Sequence, residues 1–232
     1  VTHNLQTVAA GSSTARSMLG DAMRNLLAGC PVMPILTVHD VSSAAPLARA
    51  LVAGGIHIFE VLKRTNMACD AVAEMRAAVP EAVVGMGTLL TPDDVARAVA
   101  AGAHFGVSPG LTAVLADAVV DHGLPFLPGV ATASEVMSAH DRGFRCMKLF
   151  PAQGAAGVAF LRAVAPVFPD VMFCPTGGVG RADVVAYLQL PNCTTVGGSW
   201  VAPPDMVRAG DWDGITALAR SAASLTATKP PA

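Results

Sequence analysis

The chain has 232 residues, 53% of them hydrophobic and only 14% charged, with a formal net charge of −2. That length and apolar share suit one large domain with a sizeable core, and a (β/α)8 barrel takes about 250 residues. A near-neutral charge offers no basic surface for a nucleic acid, and no apolar stretch reaches the roughly 18 residues needed to span a membrane.

In chain order, Val1–Ser17 is polar and rich in Ala and Ser, without the apolar centre of a secretory signal. Thr14–Leu27 reads as a helix ahead of the first strand. Apolar runs of strand length then recur at Pro31–Val38, His57–Lys63, Ala82–Leu89, His104–Pro109, Pro125–Val130, Arg145–Pro151, Val171–Gly178 and Thr194–Trp200. Most are nearly continuous Val, Ile, Leu, Phe and Met, as expected of parallel strands buried on both faces. Ala-rich segments of helical spacing alternate with them. Ala44–Ala53 stops at Gly54-Gly55. Thr91-Pro92-Asp93-Asp94 places an N-cap, a first-turn proline and two acids at a helix start. Thr112–His122, a helix opening at Ser134-Glu135 and ending near Gly143, Val158–Val167, Ala182–Leu188 and Asp213–Leu225 follow.

This alternation predicts an α/β chain folded as a (β/α)8 TIM barrel with an extra N-terminal helix. It forms one domain over residues 1–232, with frayed ends at 1–13 and 226–232. The rival is a doubly wound open sheet, weakened because no G-x-G-x-x-G follows the first strand. The five cysteines (Cys30, Cys69, Cys146, Cys174, Cys193) have no C-x-x-C pair, which points to free thiols and a cytoplasmic protein. The six histidines show no H-x-H or H-E-x-x-H spacing, so no metal site is expected.

In such barrels the chemistry sits at the C-terminal ends of the strands. Lys148 is one of three lysines and lies inside the apolar run Cys146-Met147-Lys148-Leu149-Phe150. An ammonium is costly to bury unless paired, and burial favours the neutral amine that attacks a carbonyl. The alternative is a lysine that snorkels to the strand end or fills an ion pair. Glu60 and Arg64 share parity on the second strand if it stays extended, so both would point inward as a general base and a carboxylate clamp. They could equally pair with each other. Lys63 has the opposite parity and should face away. Thr176-Gly177-Gly178 and Gly197-Gly198-Ser199 are glycine turns after the last two strands, where many barrels bind phosphate. Cys174 reads as a packed core thiol.

These stretches resemble the bacterial 2-dehydro-3-deoxy-phosphogluconate (KDPG) and 4-hydroxy-2-oxoglutarate (KHG) aldolases. The likeness runs from about Pro31 to Leu225. It is carried by Glu60-Val61 with Arg64-Thr65, Gly85-Met86-Gly87-Thr88, Val107-Ser108-Pro109-Gly110, Lys148-Leu149-Phe150-Pro151, Cys174-Pro175-Thr176-Gly177-Gly178 and Gly197-Gly198-Ser199-Trp200. The resemblance implies Lys148 as the Schiff-base lysine and Glu60 as the general acid/base. Arg64 and Thr88 would contact the pyruvate portion, and Pro109 and Phe150 would wall the pocket. Gly177, Gly178 and Ser199 would hold a phosphate, with Thr176 near the substrate hydroxyls. It also implies a 2-keto acid phosphate substrate, a homotrimer, and no metal or cofactor. The closest rival reactions are cleavage of the phosphogalactonate epimer and phosphate-sugar epimerisation; the non-enzymatic rival is a barrel that binds a sugar phosphate without turnover. Three positions depart from the family: Leu62 replaces a threonine, Lys63 a leucine, and Gln153 a glutamate.

Overall fold

The computed structural model describes residues 21–225. Residues 21–27 (α1) are helical; the Thr14–Gly20 part of the expected helix and the expected frayed ends lie outside the described residues. Each expected strand run contains an observed strand. These are β1 (Val32–Leu36), β2 (Ile58–Leu62), β3 (Val83–Gly87), β4 (Phe105–Val107), β5 (Phe126–Leu127) with β6 (Gly129–Val130), β7 (Cys146–Leu149), β8 (Met172–Pro175) and β9 (Val196–Gly198). The fifth run is split because Pro128 has no N–H for the ladder; its carbonyl still accepts from Lys148 N–H at 2.8 Å.

Every strand pair is parallel. One sheet runs β5-β4-β3-β2-β1-β9 and a second runs β6-β7-β8. Parallel bridges Phe173↔Cys193 and Thr176↔Gly197 join the region of β8 to that of β9. The result is a parallel α/β sheet that curls. Its strands bury both faces, and this is why their sequence reads as unbroken apolar runs. On β2, Phe59 and Val61 pack toward the helices in the larger core cluster, while Ile58 belongs to a second cluster with Met33, Phe105, Val107, Leu127, Cys146 and Cys174. Met23 and Leu27 of α1 join this second cluster and are fully buried.

The helices are α2 (Ala44–Ala53), α3 (Ala68–Ala78), α4 (Pro92–Ala100), α5 (Ala113–Asp121), α6 (Ala133–Asp141), α7 (Gly157–Val164), α8 (Val184–Leu188), α9 (Pro204–Ala209) and α10 (Trp212–Ala223). Of these, α3 and α9 were not among the expected helices. The pattern for α3 is present in the sequence: Ala68, Ala71, Val72 and Met75 are its buried residues, at i, i+3, i+4 and i+7. Thr91 caps α4 as expected, forming a capping box with Asp94. α6 begins one residue earlier than Ser134, at Ala133, and its N-cap Thr132 forms the equivalent box with Glu135.

Phe105 is fully buried in the second cluster. Phe105→Ala is expected to lower unfolding free energy by about 3–5 kcal/mol, read by chemical denaturation, because the surrounding strands cannot collapse into the space.

Candidate active site

Lys148 sits on β7 between Met147 and Leu149, which turn to the helix side of the sheet. Its neighbours in register are Gly129 on β6 and Cys174 on β8. Strand alternation therefore forces its side chain to the inner face. Glu60 on β2 obeys the same rule, between Phe59 and Val61. The two meet inside: Lys148 Nζ lies 3.6 Å from Glu60 Oε1, with Glu60 0% and Lys148 5% exposed. A Cβ at Gly87, the last residue of β3, would overlap the Glu60 carboxylate, so only glycine leaves it room.

That pair is close enough for strong attraction yet longer than a hydrogen bond. Neither Glu60 oxygen has a hydrogen-bond donor among the described residues. A buried carboxylate with both oxygens unspent is able to accept a proton or a hydroxyl from a bound molecule. Lys148 Nζ also stands 5.1 Å from the centre of the Phe150 ring.

Above the pair opens a cavity of about 190 Å³, whose lining includes Lys148, Arg64, Phe150, Thr176, Gly177, Gly178 and Ser199. Seven of the ten expected site residues thus line one space, and Glu60 lies beneath it against Lys148. Thr88 and Pro109 are not part of its lining. Thr88 follows β3 with a left-handed φ of 64°. The Pro109 backbone packs so tightly against Gly129, the register partner of Lys148, that a Cβ on Gly129 would overlap it.

Arg64 reaches the cavity by a different route from the one its parity implied. The strand ends at Leu62, and Arg64 N–H turns back to the Leu62 carbonyl at 2.8 Å. No Glu60–Arg64 ion pair forms; Glu60 pairs with Lys148. Lys63 faces away, as expected, with Nζ 2.5 Å from Asp94 Oδ1. Gly177 and Gly178 both take positive φ, 92° and 80°, placing their backbone at the cavity wall without side chains in the way. Ile35, Thr37, Leu62 and Val179 complete much of the lining. Thr37 is a polar residue late in the first apolar run, and such a residue at a strand's C-terminal end is a site signal in this kind of sheet. Ile35 and Val179 carry no such signal, because an apolar pocket wall reads as core.

Burial disfavours the thiolate at four of the five cysteines. Burial pushes Cys174 up to about 12 from 9.0, against opposing effects of the Thr176 hydroxyl and the Lys148 charge. Burial also raises Cys30 to about 12 and pushes Cys146 and Cys193 upward. A rise of three units leaves about a thousandfold less thiolate. Iodoacetamide at pH 8 is therefore expected to leave these four thiols unmodified in the native protein and to label them in guanidinium, measured by peptide mass; native labelling of Cys174 would contradict this.

A curled parallel α/β sheet that holds an amine beside a carboxylate, under a glycine-walled cavity, defines a scaffold for carbonyl chemistry. The family model described as "Aldolase: KDPG and KHG aldolase" matches residues 23–218, and the chain belongs to that family. It is 46% identical over 192 residues to the 2-dehydro-3-deoxy-phosphogluconate aldolase of Pseudoalteromonas atlantica, covering 83% of this chain and 89% of that one. It is 45% identical over 198 residues to the KHG/KDPG aldolase of Escherichia coli, covering 85% and 93%. Among solved structures, it is similar to the KDPG aldolase of Legionella pneumophila with pyruvate captured at low pH as a covalent carbinolamine intermediate. That match has a TM-score of 0.85 and 40% identity, and covers 87% of this chain and 98% of the other.

Proposed function

We propose that this chain is a class I aldolase that reversibly cleaves 2-dehydro-3-deoxy-6-phosphogluconate to pyruvate and glyceraldehyde 3-phosphate, the aldol step of the Entner–Doudoroff pathway. The observation that carries the reading is the 3.6 Å approach of Lys148 Nζ to Glu60 inside a cavity walled by glycine turns. A carbinolamine is what an amine forms with a ketone. The Legionella pneumophila relative holds pyruvate in that form. In this chain Lys148 is the primary amine among the described residues that line the cavity.

Lys148, as the free amine, attacks the C2 ketone to give a carbinolamine, which loses water to become an iminium. Glu60 takes the proton of the C4 hydroxyl as the C3–C4 bond breaks; the bonding pair flows into the iminium and leaves an enamine. Glyceraldehyde 3-phosphate departs. The proton held by Glu60 returns to C3, and water hydrolyses the iminium to pyruvate and free Lys148. Arg64 holds the substrate carboxylate as a guanidinium fork. Thr88 supports that end, Phe150 walls the pocket with Pro109 backing Gly129 beside Lys148, Thr176 faces the substrate hydroxyls, and Gly177, Gly178 and Ser199 receive the phosphate.

The strand pairings on either side of Pro128, with the bridges between the β8 and β9 regions, support a closed (β/α)8 barrel. We take the chain as one such domain. The resemblance supports a homotrimer, and exposed Leu90 ahead of α4, Val114 in α5 and Met137 in α6 offer apolar surface for a second copy. Five free thiols fit a cytoplasmic enzyme. Among the described residues, no helix is long and apolar enough to cross a membrane.

The test is steady-state turnover of the phosphogluconate substrate, its phosphogalactonate epimer and 4-hydroxy-2-oxoglutarate. The gluconate substrate is expected to have the highest kcat/KM, and Glu60→Gln to lower its kcat by about 10²–10⁴. Faster cleavage of the galactonate epimer would move the assignment to that substrate. Full activity in Glu60→Gln would remove Glu60 from the mechanism.

A further inference from the structure

Arg64 is exposed and, among the described residues, its guanidinium makes no hydrogen bond or ion pair, so packing alone does not aim it. Its chain neighbours do. On one side, Lys63 N–H donates to the Gly87 carbonyl at 2.8 Å, and its ammonium meets Asp94 Oδ1 at 2.5 Å. On the other side, the Thr65 hydroxyl donates to the Val38 carbonyl at 2.6 Å. Arg64 is the residue held between these two anchors.

The partner of Lys63 is itself built into the next loop. Asp94 is only 6% exposed, and its second oxygen accepts from Leu90 N–H at 2.8 Å and Thr91 N–H at 3.1 Å. That loop begins at Thr88, whose left-handed φ of 64° is unfavourable for a β-branched residue and must be held by its surroundings. Burial pushes the Asp94 carboxyl upward, but Lys63 and the two loop N–H groups outweigh it and hold it below its usual range, so Asp94 is a carboxylate at neutral pH. One carboxylate therefore ties the turn carrying Arg64 to the loop carrying Thr88. Lys63 lies between two residues that line the cavity, Leu62 and Arg64, and its outward anchoring leaves those two to face inward.

We propose that Lys63 and Asp94 are positioning residues, an ion pair outside the cavity that sets the aim of Arg64 and the conformation of Thr88 and so governs binding of the substrate carboxylate. The proposal rests on the aldolase reading and on the role of Arg64 within it. Lys63 stands where the family resemblance has leucine, so the device belongs to this chain rather than to the family pattern.

The experiment measures kcat and KM for pyruvate in the aldol-forming direction for Lys63→Met, Asp94→Asn, Lys63→Arg and Arg64→Gln, and for Lys63→Met combined with Arg64→Gln. Loss of aim removes binding shared by ground and transition states, so Lys63→Met and Asp94→Asn are expected to raise KM about tenfold with kcat within about twofold. Lys63→Arg restores KM, because a guanidinium still reaches Asp94. In the Arg64→Gln background Lys63→Met adds less than about twofold, since the residue it acts through is gone. Thermal melts of each variant separate this from loss of structure: a merely structural pair would lower Tm with KM unmoved. Unchanged KM in both Lys63→Met and Asp94→Asn overturns the proposal, as does an equal effect with and without Arg64. A chain with no turnover on any substrate overturns the aldolase reading with it, whereas turnover whose KM ignores Lys63 overturns the positioning role alone.

Discussion

The molecule depends on one pair of opposite charges placed where its fold otherwise admits only apolar groups. Glu60 and Lys148 lie on strands from different sheets, yet their side chains meet inside the curl at 3.6 Å. Desolvating two ions costs several kcal/mol each, and a dry pair of this kind is seldom the most stable filling for a core. Apolar residues of similar size would pack there at least as well. Retaining the pair makes physical sense if the buried amine and carboxylate do chemistry, and the unspent hydrogen-bonding capacity of Glu60 points the same way.

Several features of the sheet serve that pair. Glycine stands at Gly129, in register beside Lys148, and at Gly87, beside the Glu60 carboxylate. Large side chains below them (Ile58, Phe105, Val107 and Leu127, with Met23 and Leu27 of α1) fill the inner face. The polar layer is confined to one end of the strands, and the cavity with its glycine turns opens above it. The membership of the chain in the KDPG and KHG aldolase family accords with this arrangement.

What was legible in the sequence follows from what burial does to composition. Strands covered on both faces are nearly pure apolar runs, so all eight could be placed, and a lysine inside one of them was conspicuous. Glycine turns late in β8 and β9 were visible for the same reason. Local departures from ideal strands and helices leave weaker traces in composition. The shared parity of Glu60 and Arg64 holds only while the strand stays extended; the chain turns after Leu62, and Arg64 meets the cavity from a loop. The strand at Pro125–Val130 is divided because proline cannot complete the ladder. The amphipathic pattern of α3 rests on small residues, Ala68 and Ala71 with Val72 and Met75, and stands out little from the Ala-rich background. Ile35 and Val179 look like core because they are apolar, and the Lys63–Asp94 contact joins segments whose proximity only the fold creates.

Lys148 is, on this reading, the amine that bonds to the keto acid. Incubating the protein with pyruvate, reducing with borohydride and mapping the modified peptide by mass tests it most directly. One stable adduct is expected on Lys148, none on Lys63, and no adduct in Lys148→Ala with the fold intact by circular dichroism. An adduct formed at full yield in Lys148→Ala, or mapped to another lysine, would contradict it.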